Sequence, residues 1–264
     1  MRTIKKVASH IFIDGFGGMT QGLFATLIIG TMIQQIGLLI GGSTGNVIYL
    51  LGKAAAALTS AGIGVGVAVK YGESPLVTVS AAVAAMVGGY AGKITGGTFF
   101  VDGNAVLAGP GEPLGAFIAA FAGITCGHLV SGKTKVDIIV TPVITIGAGS
   151  VVGLLVGPPI SQMMTGLGSI INWATEQRPF IMGIVVSVVM GMVLTLPISS
   201  AALGIILNLS GLAAGAATIG CCCNMVGFAV ASYRENKFGG LVAQGLGTSM
   251  LQVPNIMRHP LIWL

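Results

Sequence analysis

Uncharged polar residues that could bind a solute are concentrated in the last third of the chain. The candidate binding residues of this group are Ser199, Ser200, Asn224, Gln244, Thr248, Gln252 and Asn255. Amides and hydroxyls both donate and accept hydrogen bonds without carrying charge. The group is therefore better suited to a neutral polar solute, such as a sugar, than to an ion.

A second group of candidates contains ionisable side chains. Asp102, Asn104 and Glu112 lie in a glycine-rich loop that begins at Lys93, and His128 follows in the next apolar run. Carboxylate and amide oxygens accept hydrogen bonds from sugar hydroxyls. The alternatives are that Glu112 caps a helix beside a solvated loop, and that His128 is an interfacial residue near Lys133. We include all four among the predicted solute-binding residues.

Residue patterns typical of enzymes are missing from the sequence. There is no G-x-S-x-G, no H-E-x-x-H, no Walker loop and no paired catalytic carboxylates. The run Cys221–Cys223 cannot form one metal site, because adjacent helical residues point about 100° apart. We predict no catalytic residue, no metal and no cofactor, and the +5 net charge is too dispersed for a nucleic-acid surface.

Long charge-free stretches indicate that lipid surrounds the chain. The segments Gly15–Gly52, Ile138–Thr175 and Pro179–Tyr233 contain no Asp, Glu, Lys, Arg or His. A helix needs about 20 apolar residues to cross the bilayer core. Charged residues make up 7% of the chain, against about 25% in soluble domains. We therefore predict an all-α polytopic membrane protein.

Apolar runs and their flanking residues predict about seven to nine transmembrane helices in a single domain covering residues 1–264. The predicted runs are Met19–Ile40, Val47–Val69, Ser74–Ala91, Glu112–Val130, Asp137–Val156, Phe180–Leu196, Ile198–Leu209 and Leu212–Ala231. Broken or re-entrant segments are expected from Gly157 to Thr175, after Pro197, and over Leu241–Asn255. Such interruptions at membrane depth are typical of transporter binding sites.

The two ends of the chain and its loop charges lead to further expectations. Residues 1–13 fit an amphipathic helix lying at the membrane surface. The final apolar run reaches Leu264, which suggests a longer native chain. With a cytoplasmic N-terminus, Lys70, Lys133 and Lys135 face the cytoplasm, as the positive-inside rule requires.

Glycine spacing predicts close helix packing. Of the chain's 43 glycines, several recur every four residues and place small residues on one helix face. The clearest patterns are Gly88-x3-Gly92-x3-Gly96, Gly149-x3-Gly153-x3-Gly157, Gly183-x3-Ser187-x3-Gly191 and Gly211-x3-Gly215.

Four segments resemble a known family: Lys133–Pro142, Met190–Ser200, Leu209–Thr218 and Ala243–Asn255. They are similar to enzyme IIC-like sugar permeases of the bacterial phosphotransferase system, including the perfringolysin-regulator group. The resemblance implies an inner-membrane domain, typically a homodimer, that binds and moves a sugar. It also implies that phosphate comes from a separate IIB protein, supplied in turn by IIA. Glu112 and His128 match the family's sugar-contacting Glu and His by type only.

We therefore predict a sugar transporter of the enzyme IIC type that works by alternating access. One alternative is a membrane-bound sensor that binds a ligand without moving it. Another is an ion-coupled carrier of a non-sugar metabolite, in which Asp102, Glu112 or His128 would titrate.

Overall fold

The computed structural model describes residues 14–101, 103–107, 109–195, 209 and 211–263. The predictions for segment 1–13, for Asp102, for the Ser199–Ser200 pair and for most of the run Ile198–Leu209 lie outside these residues. The chain divides into two compact units, Met1–Ser161 and Gln162–Leu264.

The described part of the first unit consists mainly of helices and contains one short hairpin. Its helices are α1 (Phe16–Leu23), α2 (Ile29–Ile40), α3 (Gly42–Ala57), α4 (Thr59–Lys70), α5 (Pro75–Gly89), α6 (Ala91–Thr95) and α7 (Pro113–Val130). A π-helical turn, Phe24–Ile28, joins α1 to α2. Strands β1 (Phe100–Val101) and β2 (Asn104–Ala105) pair antiparallel, with Phe100 opposite Ala105. The all-α prediction is confirmed, since this hairpin is the only sheet among the described residues.

Helix α8 (Asp137–Gln177) begins in the first unit and ends in the second. It contains Pro158 and Pro159, and we predicted a broken segment from Gly157 onward. That prediction was wrong, because the helix continues through the prolines to Gln177. Each proline removes one backbone donor, but an apolar environment penalises any further loss of backbone hydrogen bonds.

The second unit contains α9 (Pro179–Thr195), α10 (Gly211–Ala231), α11 (Tyr233–Val242) and α12 (Val253–Arg258). Between α11 and α12 the chain forms a π-helical turn, Ala243–Gly247, and a 3₁₀ turn, Ser249–Gln252. A second 3₁₀ turn, Pro260–Trp263, follows α12. Helices α9 and α10 pack on each other, with Val186, Met190 and Ala217 buried between them.

Several of the described helices are long and apolar enough to cross a membrane. Four helical segments are long and apolar enough to span a bilayer: Phe16–Ile40, Pro113–Val130, Asp137–Met163 and Gly211–Ala231. The pair α3 and α4, bent by 53°, makes a fifth if it counts as one span. The structure therefore describes a multi-pass membrane protein, and the predicted count of seven to nine spans is not confirmed.

Glycines hold the first two spans in close contact. A Cβ on Gly22 would lie 2.2 Å from the carbonyl oxygen of Gly62, and one on Gly52 would lie 2.5 Å from that of Gly30. Facing glycines from the two spans follow one antiparallel register at Gly18–Gly66 and Gly22–Gly62. Further along, at Gly30–Gly52 and Gly37–Gly45, the pairing is displaced by two residues. The π-helical turn and the bend at Leu58 lie between the two sets and absorb this shift.

Two of the predicted helix starts are confirmed. Ser74 caps α5, where its Oγ accepts a hydrogen bond from the Val77 amide at 3.4 Å. Glu112 caps α7, where its Oε1 accepts one from the Leu114 amide at 3.4 Å. Proline occupies the first turn of both helices, where its missing N–H costs nothing.

The lysine-bearing turns of the first unit lie at one end of its helices. Ser74 Oγ and Ser131 Oγ lie 3.0 Å apart, and the Nδ1 of His128 lies 3.0 Å from the Oε1 of Glu73. These contacts join the turn after Lys70 to the turn that carries Lys133 and Lys135. The three lysines thus share one side, as the topology prediction requires.

Candidate functional site

A broken helix forms the centre of the candidate site in the second unit. The π-helical turn ends at Gly247, and Thr248 is fully extended, with φ −161° and ψ 143°. A new helical direction begins at Ser249, where the Thr248 Oγ1 accepts a hydrogen bond from the Met250 amide at 3.2 Å. Our prediction of an irregular segment between Leu241 and Asn255 is therefore confirmed.

Three amide side chains, two of them buried, link the two halves of this break. Asn255 Nδ2 donates to Gln252 Oε1 at 2.8 Å, and Gln252 Nε2 donates to Gln244 Oε1 at 3.0 Å. Gln244 Nε2 in turn donates to the Ser232 Oγ at 3.0 Å. We call these four residues the amide ladder. Gln244 and Gln252 are 3% and 6% exposed, so the ladder ties the segment together from inside the unit.

Two buried oxygen atoms of the second unit have no hydrogen-bond partner among the described residues. They are the Oδ1 of Asn224 and the Oγ of Ser249. A buried polar atom without a partner costs about 1–3 kcal/mol, so such atoms are rare in folded proteins. Among the described side chains of the second unit, these two buried oxygen atoms have unused hydrogen-bonding capacity.

The charged side chains of α11 and α12 are exposed, in contrast to the buried Gln244 and Gln252. Arg234, Glu235 and Lys237 are exposed on α11, and Arg258 is exposed at the end of α12. Lys237 also interrupts α11 with a positive φ of 53°. The broken segment itself, from Leu241 to Met257, contains no Asp, Glu, Lys, Arg or His.

Glu112 belongs to a tightly packed loop in the first unit. The Ser60 Oγ donates to the Pro110 carbonyl at 2.9 Å, and the Glu112 amide donates to the Gly89 carbonyl at 2.7 Å. The Tyr90 hydroxyl also bonds the Gly109 carbonyl. These bonds fasten the loop over the end of α5 and the start of α4, so Glu112 has a clear structural role. We call residues 109–112 the loop seat.

Burial raises the pKa of the Glu112 carboxyl, while its hydrogen bond from the Leu114 amide lowers the pKa by a smaller amount. The folded protein therefore binds this proton more tightly than the unfolded chain does. Stability contributed by the protonated group is complete below the ordinary pKa of 4.5 and is lost as pH rises through the higher folded-state value.

Substituting Glu112→Gln is expected to flatten this part of the pH dependence. The amide keeps a cap acceptor but cannot ionise, so the variant should match wild type at pH 4 and melt higher at pH 8. Thermal unfolding in detergent across this range checks the prediction, with Glu235→Gln at an exposed site as the control for charge loss. A wild-type pH slope in Glu112→Gln would contradict it.

The structure does not bring the predicted residues of the first unit into one place. His128 is 68% exposed and pairs with Glu73, while Glu112 caps the opposite end of the same helix. Sixteen residues of helix separate them by about 24 Å. Asn104 lies exposed in β2. Of the seven candidates in the last third of the chain, Ser199 and Ser200 are outside the described residues, and the other five are on α10 or the broken segment.

Three residues that the structure singles out were not among our predicted binding residues. They are Ser249 and Ser232 of the second unit and Tyr90, which holds the loop at Gly109 in the first unit. Ser249 could have been included because it follows the predicted residue Thr248 directly in the sequence. No sequence pattern distinguishes a serine with a partner from one without.

Broken helices that carry polar side chains are found in many membrane transporters. The family model described as Phosphotransferase system, EIIC, matches residues 13–264. The chain belongs to this family, the membrane component of the phosphotransferase system. No curated protein and no solved structure was found to match it.

Proposed function

We propose that this protein is the sugar-binding and translocating component of a phosphotransferase system and that it works by alternating access. The solute binds in the second unit, at the broken segment Gln244–Asn255 and beside Asn224. Phosphate reaches the sugar from a separate IIB protein, which IIA supplies. We further propose a homodimer in a bacterial inner membrane, with a cytoplasmic N-terminus.

The observation that carries this proposal is the broken helix with its buried amides. Helix ends leave backbone groups without intrahelical partners, and irregular backbone at membrane depth survives only inside protein or beside a hydrated cavity. Thr248 provides such an end next to Gln244 and Gln252. Hydrogen-bonding groups without charge fit the hydroxyls of a sugar.

Cysteine chemistry supports a separate phosphate donor. Cys221, Cys222 and Cys223 lie within the apolar helix α10, and the Cys221 thiol bonds the Met190 carbonyl at 3.7 Å. A phosphoryl carrier must be reached by its partner protein and its substrate in turn. The cysteine run fits helix packing better than this role, so the phosphoryl donor is a partner protein.

Thermal stabilisation by neutral sugars tests the proposed binding site. Among common hexoses and hexitols, at least one is expected to stabilise the purified protein. A ligand at one hundred times its Kd contributes about 2.7 kcal/mol, which raises Tm by about 8 °C in a chain of this size. Citrate and lactate, as small organic anions, should give no shift.

The variant Gln244→Leu provides the matched test of location. It removes both ladder bonds that Gln244 makes, so it should melt below wild type and lose the sugar-dependent shift. If wild type responds to no sugar, or if Gln244→Leu keeps the full shift, the proposed site is wrong.

A further inference from the structure

The polar side chains of the second unit separate into those with hydrogen-bond partners and those without. We propose that Asn224 and Ser249 are the side chains that contact the solute, and that the amide ladder holds the segment's shape without touching it. Because the segments around these two side chains carry no charge, the contact site fits an uncharged polyhydroxy compound and excludes that compound's phosphate ester. This inference rests on the proposed function and divides its site into two roles.

The ladder residues have already used their main hydrogen-bonding groups. Gln244 uses its Oε1 for Gln252 and its Nε2 for Ser232, and Gln252 likewise accepts from Asn255 and donates to Gln244. Thr248 uses its Oγ1 for the Met250 amide. A solute that bound these atoms would have to compete with bonds that are already formed and buried.

Asn224 and Ser249 differ in exactly this respect. Ser249 is completely buried, and neither its Oγ nor the Asn224 Oδ1 has a partner among the described residues. An unpartnered buried oxygen loses its water without compensation. Binding a hydroxyl would restore the missing bond, so these two atoms gain most from a ligand.

Both residues lie where the same elements meet. Ser249 begins the 3₁₀ turn that packs against α9 and α10. Asn224 is on α10, opposite Gly191 of α9, where an added Cβ would lie 3.4 Å from the Asn224 Cβ. Asn224 and the 3₁₀ turn that carries Ser249 therefore both lie against α9.

The chemistry of the two oxygens defines the class of ligand. The Asn224 Oδ1 accepts only, and the Ser249 Oγ either accepts or donates. Hydroxyl groups satisfy both. The segments that carry these residues, Gly211–Ala231 and Leu241–Met257, contain no Lys, Arg or His. A phosphate ester brings a charge of about −1.5 to −2 at pH 7, which no cation of these segments can balance.

Melting temperatures without ligand separate the two roles. Ser249→Ala and Asn224→Leu each remove an unpartnered polar atom, so we expect both to melt at or above wild type, by about 2 °C. Gln252→Leu breaks two ladder bonds and should melt lower. Thr218→Val, on the exposed face of α10 with its hydroxyl bonded to the Ala214 carbonyl, is the control and should stay close to wild type.

Ligand binding by the same proteins completes the test, with the neutral hexoses and hexitols and their 6-phosphates as probes. Ser249→Ala and Asn224→Leu should weaken binding of the stabilising sugar at least tenfold, Thr218→Val should not, and the 6-phosphate should not stabilise wild type. Ser249→Ala that melts lower and keeps wild-type affinity overturns the contact role. A 6-phosphate that binds as tightly as its sugar overturns the ligand class. If no probe stabilises wild type, both the proposed function and the contact role fail, while the melting order still tests whether the ladder holds the segment's shape.

Discussion

Replacing Gly220 by alanine is expected to destabilise the protein by about 3 kcal/mol. A Cβ at this position would lie 1.9 Å from the carbonyl oxygen of Ser187 and 2.5 Å from its carbonyl carbon. Because both atoms belong to backbone, no side-chain rotation relieves the overlap. Helices α9 and α10 would have to separate, which disrupts the contacts among Val186, Met190 and Ala217.

Gly215→Ala is the matched control for Gly220→Ala. Gly215 lies on the same helix, and no atom of the described residues lies within 4 Å of a Cβ placed there. Alanine favours helix over glycine by about 0.5–1 kcal/mol, so this variant should match or exceed wild-type stability. Thermal unfolding in one detergent should place Gly220→Ala about 6–12 °C below wild type. Equal melting temperatures for the two variants would show that α9 and α10 do not pack as described.

Gly111→Ala should also be strongly destabilising, by about 3–4 kcal/mol. Gly111 has a φ of +75°, a conformation that costs a residue with a Cβ about 1–2 kcal/mol. Its Cβ would also lie 2.4 Å from the Ser60 Oγ and 3.1 Å from the Gly89 carbonyl. The loop seat would lose its fit against α4 and α5.

Gly103→Ala isolates the packing contribution at Gly111. Gly103 has nearly the same φ, +77°, but its Cβ position has no neighbour within 4 Å in the part of the chain that the structure describes. This variant carries only the backbone cost, about 1–2 kcal/mol. The two melting temperatures should therefore differ by several degrees. If Gly103→Ala is as damaging as Gly111→Ala, the loop seat contributes little to stability.

Helix starts and spans could be predicted because their causes are local. Ser74-Pro75 and Glu112-Pro113 contain both the cap and the first-turn proline, and the apolar runs follow directly. The π-helical turn Phe24–Ile28 was not predictable in this way. It is linked to the register shift between two spans, and that shift depends on the partner helix.

The contacts of the glycine patterns also depend on partner helices, so they could be predicted only in part. Gly149, Gly153 and Gly157 contact α5, α6 and α7 closely, as predicted, whereas no described neighbour lies within 4 Å of Cβ positions at Gly183 and Gly215. Spacing identifies a face of small residues, but it does not specify whether another helix lies opposite that face. The distance between Glu112 and His128, in contrast, could have been foreseen from one uninterrupted helix.

The polar residues of the broken segment were found by type, but their roles were not. Gln244, Gln252 and Asn224 are equally able to bind a sugar as far as composition shows. Their difference lies in whether tertiary neighbours satisfy them. This depends on how α10, α11 and the broken segment meet, which a single sequence does not reveal.

Sugar uptake by proteoliposomes containing the full chain tests the central claim most directly. The sugar identified by thermal stabilisation should accumulate as its phosphate ester when phosphorylated IIB protein is supplied, and dissipating the proton gradient should not stop it. Ser249→Ala should slow this uptake, while Thr218→Val should not. Binding without any uptake would identify a sensor, and uptake that needs the proton gradient instead of IIB would identify an ion-coupled carrier; either result would contradict the account.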